Sequence, residues 1–295
     1  MAYWKNYHIP ATIDEAVSLL ARYNGQARLI GGGTDLLLEM QQGHRPPVEA
    51  LIDATRIVGL DRITEEEGYL VIGAGVTHTQ IVADPRLARH ATCLVESCGV
   101  IGGPQVRNVG TLAGNVAHAL PAGDGSISLL ALGGEVQIAG VDGLRWTPLQ
   151  ETFVGPGRSI VDPTRMLIAR LRFTPTGPAE GSAFRRVMRP QGVALPMIGM
   201  AARLKVDGET ITAARVSIGP AGPTPFLSRQ TMAFLAGRPA TAATFAQAAD
   251  VALQEAQLRS SRHRATAEYR REMIRVQLPQ TLAKATERAI TGQDY

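Results

Sequence analysis

Lysine, cysteine, aromatic residues and long apolar runs are all scarce in this 295-residue chain, and each scarcity excludes something. Two cysteines, Cys93 and Cys98, cannot make a disulfide framework, nor by themselves the four-thiolate ligand set of an iron–sulfur cluster. Their five-residue spacing is not C-x-x-C, so they read as free buried thiols rather than a redox pair. Aromatic residues are 5% of the chain, and the basic residues are scattered except near the C-terminus, which argues against a nucleic-acid-binding surface. The longest apolar stretches, such as Ile127–Leu132, are far short of the roughly 20 residues that a bilayer span needs. Behind Lys5 no apolar segment of a secretory leader follows, so a cytoplasmic location is expected. Of the 30 basic residues only Lys5, Lys205 and Lys284 are lysine. The remainder is arginine, the residue suited to bidentate anion contacts and to buried interface pairs.

What is present is a chain of about two domain-lengths, taking roughly 150 residues for each, with 45% hydrophobic residues to fill the cores. Ile13–Tyr23 has apolar residues at helical spacing behind Thr12, a predicted N-cap with Glu15 at the capping-box position, and Asn24-Gly25 ends it. Ala27–Ile30, Ala50–Asp53, Leu70–Gly73, Val136–Ala139 and Met166–Phe173 read as strands. Thr34–Met40, His78–Leu87 and Leu94–Gly99 read as helical. Thr174–Gly181, with two prolines and two glycines, is the best linker, placing a domain boundary near residue 176. Beyond it, Ala201–Val206 and Thr210–Ile218 form an antiparallel pair around Asp207-Gly208, followed by helices over Thr241–Leu258 and Thr266–Ile290. The last is expected to break or kink at Pro279.

Two glycine-rich segments carry the chemistry. Leu29-Ile30-Gly31-Gly32-Gly33-Thr34-Asp35-Leu36 runs from a buried strand through three glycines into a helix pattern. That arrangement lets backbone N–H groups approach an anion. It is neither the dinucleotide fingerprint, since Leu36 stands at the third glycine position, nor a P-loop; alone, it could equally be a tight turn. The second runs from Ile101-Gly102-Gly103 through Gly110-Thr111-Leu112-Ala113-Gly114-Asn115 to Gly123-Asp124. Small residues allow close approach, Thr111 and Asn115 offer donors, and Asp124 offers an acceptor for a sugar-like hydroxyl. Two such loops in one domain point to an extended ligand containing a polyphosphate.

The order and spacing of these loops, with Arg264-Ala265-Thr266-Ala267-Glu268-Tyr269-Arg270 near the C-terminus, resemble the FAD-binding medium subunits of molybdenum hydroxylases. That family includes the medium subunit of carbon monoxide dehydrogenase and the flavin domain of xanthine dehydrogenase. The resemblance implies an α+β fold. A two-lobed FAD-binding domain of the PCMH, vanillyl-alcohol-oxidase-like type spans residues 1–176 (lobes 1–56 and 57–176), and a C-terminal domain of antiparallel sheet plus helices spans 177–295. It further implies that Leu29, Ile30, Gly31, Gly32, Gly33, Thr34, Asp35 and Leu36 wrap the FAD pyrophosphate. Gly110, Thr111, Leu112, Ala113 and Gly114 form the second loop, with Asn115 beside it, and Asp124 bonds the sugar-like portion. Ile101, Leu167 and Arg185 fall where the family places residues near the flavin ring. Ala113 departs from the family's usual glycine, and Arg185 stands where xanthine dehydrogenases have lysine.

The function implied is an electron-transfer subunit of an oxidoreductase, with no catalytic residue or metal site of its own. It holds dissociable FAD, since Thr34 stands where covalently tethered relatives often have histidine. Electrons would come from [2Fe–2S] clusters on a small subunit, molybdopterin would sit on a large subunit, and an acceptor such as NAD or a quinone would take the electrons from FAD. A dimer of heterotrimers is the expected assembly. The alternative is a stand-alone FAD-dependent oxidoreductase of the same fold. His78 and His118 are expected to be structural, as lone histidines without metal-site spacing. The arginine-rich segment Arg259–Arg275 is open to two readings, a solvated helix face or a docking surface for a partner subunit.

Overall fold

The computed structural model describes residues 2–189 and 194–292. Its first lobe runs β1 (Trp4–His8), α1 (Ile13–Tyr23), β2 (Ala27–Ile30), α2 (Leu36–Gln41) and β3 (Val48–Asp53). Thr12 caps α1 by accepting from the Glu15 N–H at 3.1 Å, and Asn24 closes it in the left-handed region, both as the sequence foretells. The three strands pair in parallel in the order β1-β3-β2. A parallel sheet needs cover on both faces. Ala16, Val17 and Leu20 of α1 bury one face against Ala50 and Ile52, and Met40 of α2 covers Ile30 and Leu51 on the other.

The second lobe opens with the hairpin β4 (Ile63–Glu66) and β5 (Tyr69–Gly73). Helices α3 (His78–Ala83), α4 (Pro85–His90), α5 (Thr92–Gly99), α6 (Pro104–Arg107), α7 (Leu112–His118) and α8 (Asp124–Ala131) follow. The single helix expected over His78–Leu87 is two, because Asp84 ends the first and caps the second, bonding the N–H groups of Arg86 and Leu87, with Pro85 at the first helical position. The lobe closes with β6 (Glu135–Gly140), β7 (Gly143–Pro148), α9 (Leu149–Thr152), β8 (Phe153–Gly155), β9 (Arg158–Ser159) and β10 (Leu167–Phe173). Its main sheet is antiparallel, ordered β4-β5-β10-β6-β7. One face packs on the helices through Leu70, Ile72, Val136 and Leu171. Ala139, Leu167 and Ala169 on the other face share a core with the first lobe.

The C-terminal domain is the antiparallel sheet β11 (Glu180–Met188), β12 (Pro196–Asp207), β13 (Thr210–Gly219) and β14 (Phe226–Leu227), with α10 (Arg229–Leu235), α11 (Ala242–Glu255) and α12 (Ala267–Thr291). The β12–β13 turn falls on Gly208-Glu209, one residue later than expected, with Gly208 at φ +57° and Asp207 paired to Thr210. The segment between β10 and β11 lies where a linker is expected, and within it the Thr176 N–H donates to the His90 carbonyl at 3.1 Å. Helix α12 does not break at Pro279. Ile274, Leu278, Leu282 and Ala285 of this helix are buried against the sheet, and that packing outweighs the one backbone bond that proline removes.

Alternation along β11 gives each face its own task. Ala183 and Val187 face the C-terminal helices, whereas Ser182, Phe184 and Arg186 face the second lobe. Arginines fasten that seam. Arg288 donates to the Ser182 carbonyl at 2.8 Å and to Glu96 at 2.7 Å, and the other Glu96 oxygen accepts the Phe184 N–H at 2.7 Å. Arg203 bonds the carbonyls of Thr174 and Pro175, and Arg215 bonds that of Leu130. Much of the arginine bias is thus spent where planar, multi-donor groups satisfy carbonyls at loop and helix ends.

Candidate functional site

The two glycine-rich loops, some 80 residues apart in sequence, touch. A Cβ built on Gly32 would lie 2.0 Å from the Val109 carbonyl oxygen and 2.9 Å from the Gly110 Cα, so only glycine permits this approach. Gly33 follows with φ +67°, turning the chain from β2 toward α2. Outside the sheet and helix ladders, the backbone N–H groups of Gly32, Gly33, Thr34 and Asp35 have no partner among the described residues. On the second loop Thr111 caps α7, its hydroxyl accepting from the Gly114 N–H at 3.0 Å; its bridge to Thr77 turns the Leu112 N–H toward the Val76 carbonyl, and the Ala113 N–H lies at the helix start without a partner. The two loops thus bring N–H groups without protein partners close together, an arrangement of the kind that suits an anion.

Buried neighbours hold the second loop in place. The His78 N–H donates to the Gly110 carbonyl at 3.0 Å, and a Cβ on Gly110 would come within 3.4 Å of the His78 ring. His78 is 3% exposed, and its Nδ1 lies 3.4 Å from the Cys98 sulfur. Burial, aided by the charge of Arg107, lowers its pKa to about 4, so the ring is neutral at ordinary pH. Burial also raises both thiols, Cys93 to about 12 and Cys98 further still. These groups are inert supports, in keeping with the structural reading of His78 and the cysteines. His118, at the end of α7, stands 3.9 Å from Asp35 and from Glu39, linking the second loop to the first.

Asn115 and Asp124 extend the site along α7 and α8. The Asn115 side-chain oxygen accepts from both the N–H and the hydroxyl of Ser126 at 3.0 Å, so this residue fastens the start of α8. Asp124, in the first turn of α8, has a side chain 4% exposed and pairs with Arg186 at 2.6 Å. Its other oxygen, Oδ1, is buried without any hydrogen-bond partner, as is Arg186 Nε. Burial drives the Asp124 carboxyl up to about 6, although Arg186 and the more distant Arg264 oppose the shift. A buried acceptor with an unused lone pair is costly, and this one faces β12, where a Cβ on Gly199 would lie 3.4 Å from it.

The residues expected near a flavin ring divide. Ile101 is half-buried in a loop whose carbonyls at 101 and 102 accept from Arg107, and the adjacent Val100 carbonyl accepts from Arg186. Leu167 is 1% exposed and packs in the core that the two lobes share. Arg185 turns to α12 and donates to Gln280 at 3.0 Å, while Arg186 reaches Asp124. The reason is the two-residue period of β11, which sends neighbouring side chains to opposite faces. Arg186 is missed in the sequence because two adjacent arginines are indistinguishable until the phase of the strand is known. Phe184 two residues earlier, on the apolar inward face, is the signal that sets that phase. Side chains of Leu29, Ile30, Leu36 and Leu112 all pack in cores, and the Leu29 N–H is taken by the Pro163 carbonyl at 3.3 Å.

Elsewhere, a cleft of about 450 Å³ on the outer face of the second-lobe sheet is lined by Glu66, Trp146, Arg170 and Arg172. Its arginines are engaged: Arg170 with Glu66 at 3.0 Å, and Arg172 with Glu135 while stacked on Tyr69 and Trp146. Among the described residues no cluster of histidine, cysteine and carboxylate is arranged for a metal ion, and no helix is long and apolar enough to cross a membrane.

Comparison with known proteins agrees with this fold. The FAD-binding domain of molybdopterin dehydrogenases matches residues 3–173, and the C-terminal domain of carbon monoxide dehydrogenase flavoproteins matches residues 182–285. The chain is 30% identical over 287 residues to the xanthine dehydrogenase FAD-binding subunit of Escherichia coli O157:H7, covering 96% of this chain and 97% of that one. It is 29% identical to the carbon monoxide dehydrogenase medium chain of Hydrogenophaga pseudoflava, covering 84% and 85% of the two. Among solved structures, a carbon monoxide dehydrogenase from Hydrogenophaga pseudoflava superposes with a TM-score of 0.90 at 28% identity, covering 96% of this chain and 97% of that one.

Proposed function

The chain belongs to the FAD-binding subunit family of molybdopterin dehydrogenases, and from that premise we propose that it relays electrons through a dissociable FAD inside a multi-subunit molybdenum hydroxylase. The observation that carries the reading is the contact of Gly32 with Val109 and Gly110, which joins two sets of free N–H donors into one cradle. Gly32 to Asp35 and Ala113 hold the pyrophosphate through backbone N–H groups. Asp124 Oδ1 accepts from a sugar-like hydroxyl, and Arg186 fixes the Asp124 carboxylate from behind. The bound flavin supplies two-electron chemistry that can be loaded one electron at a time. His78 is neutral at ordinary pH, keeps a single ring N–H, and through its backbone N–H holds the second loop in position. The substrate is oxidised on a molybdopterin-bearing large chain, a small [2Fe–2S] chain delivers the electrons, and NAD or a quinone removes them. The assembly is a cytoplasmic dimer of such heterotrimers.

The test begins with purification of the native protein. Flavin absorbance that passes into solution on acid precipitation, with molybdenum and iron on co-purifying chains, is expected. A lone chain turning over a substrate without molybdenum overturns the reading. The raised Asp124 pKa adds a signed prediction. In the cofactor-free chain protonation of Asp124 favours the folded state, a contribution complete below about pH 4 and lost as pH rises through about 6. A hydroxyl donated to Oδ1 favours the ionised form, so FAD binding expels that proton and affinity climbs between about pH 4 and 6, by up to roughly tenfold per unit. Fluorescence titration of FAD across this range should show the slope in the wild type and its loss in Asp124→Asn.

A further inference from the structure

One surface of the C-terminal domain gathers positive charge without pairing it. The segment between α11 and α12 contributes Arg259, Arg262 and Arg264, and the second turn of α12 adds Arg271. Among the described residues none of these four side chains makes an ion pair or a hydrogen bond, and all but the half-buried Arg264 are exposed. The segment is built, not slack. The Ser261 N–H bonds the Ala265 carbonyl at 2.9 Å, the Arg264 N–H bonds the Ser261 carbonyl at 3.2 Å, and the Ala267 N–H bonds the Ser260 hydroxyl at 3.0 Å. Arg270, 1% exposed, reaches beneath it to the carbonyls of Met197 and Arg259.

A mere solvated face would let such charges spread. Here the backbone is pinned so that they stay together. Burial first, and then the charge of Arg259, lowers the pKa of both Arg264 and Arg270. Such a cluster is relieved by an anionic partner. Large apolar side chains lie exposed beside it: Tyr269 and Val276 one heptad apart on α12, and Leu195 two residues before Met197. Arginine and tyrosine around apolar anchors is the composition of protein interfaces. A free phosphate or nucleotide would neutralise one or two arginines and leave Tyr269 and Val276 uncovered. Arg264 also feels the charge of Asp124, so this surface borders the cofactor site rather than lying remote from it. Electrons must enter near the flavin.

We infer that the arginine–Tyr269 face is the docking surface for a carboxylate-rich face of the iron–sulfur partner subunit, an assignment that rests on the electron-relay reading above. The arginines steer the encounter, and Tyr269 with Val276 holds the docked pair. The test is the double variant Arg259→Glu/Arg262→Glu produced in the native complex, with Arg89→Glu on the exposed side of α4 as control. Association with the separated iron–sulfur chain is expected to slow by about tenfold or more at low salt and to approach wild type at high salt. FAD content and unfolding midpoint should hold, and Tyr269→Ala should speed dissociation. The assignment is overturned if the double variant assembles at the wild-type rate and iron content, or if Arg89→Glu slows assembly equally. It is also overturned if the double variant loses only a nucleic acid or a free nucleotide while the complex stays whole. Wild-type protein devoid of both flavin and an iron-bearing partner sinks the electron-relay reading itself, and this docking surface falls with it.

Discussion

Gly32→Ala should strip the protein of FAD while leaving most of its secondary structure intact. The new methyl would be placed 2.0 Å from the Val109 oxygen and 2.6 Å from its carbonyl carbon, both main-chain atoms with no rotamer to escape through. The loops must therefore separate. Overpacking of this kind costs about 1–3 kcal/mol, and more where backbone meets backbone. The strain falls on the shared cradle, because separating Gly32 from Gly110 pulls apart the two sets of N–H donors. A loss of that size in binding energy weakens FAD by roughly ten- to over a hundredfold. Equilibrium dialysis of FAD, with circular dichroism as the control for folding, measures it. Gly43→Ala serves as the comparison: a Cβ there meets nothing within 4 Å, and although its φ of +74° strains an alanine, the loop lies outside the cradle. Equal FAD affinity in Gly32→Ala and wild type would remove the cradle from the argument.

Arg288→Ala is expected to be the most destabilising single change at the domain seam. Arg288 is 8% exposed in its side chain and Glu96 19%, and their 2.7 Å pair joins α12 to α5 across β11. Removing the guanidinium leaves Oε1 of the half-buried Glu96 without its partner and the Ser182 carbonyl without its donor, while Oε2 keeps the Phe184 N–H. Breaking one side of a buried pair typically costs about 3–5 kcal/mol, because the remaining charge is desolvated and uncompensated. Urea unfolding should show the midpoint falling accordingly, with the C-terminal domain releasing first. The double variant Arg288→Met/Glu96→Gln removes the stranded charge and should recover part of the loss. A double variant worse than Arg288→Ala would mean the penalty is lost packing rather than an orphaned carboxylate.

Local elements were readable residue by residue wherever a short-range rule dominated. Thr12, Glu15, Asn24 and the apolar spacing of α1 fix that helix at both ends without help from elsewhere. The glycine density from Gly73 to Gly157 obscured α7 and α8, whose cores are formed by contacts such as Leu112 with Gly125 that no local pattern reveals. At Pro279 the balance is the opposite: the local rule allows a break, but buried residues on both sides of it bind the helix to the sheet strongly enough to keep it continuous.

At the site the division is equally physical. Composition and order of residues are enough to show that no run of about 20 apolar residues occurs, that only two cysteines are present, and that two glycine-rich segments recur in one domain, because each of these depends on residue type and near neighbours alone. Which arginine meets Asp124, where Leu167 packs, and that Gly32 lies on Gly110 were decided only by the folded chain. Those facts depend on strand phase, on the closing of one lobe against another, and on approaches between residues tens of positions apart, where a shift of a single residue along β11 exchanges Arg185 for Arg186.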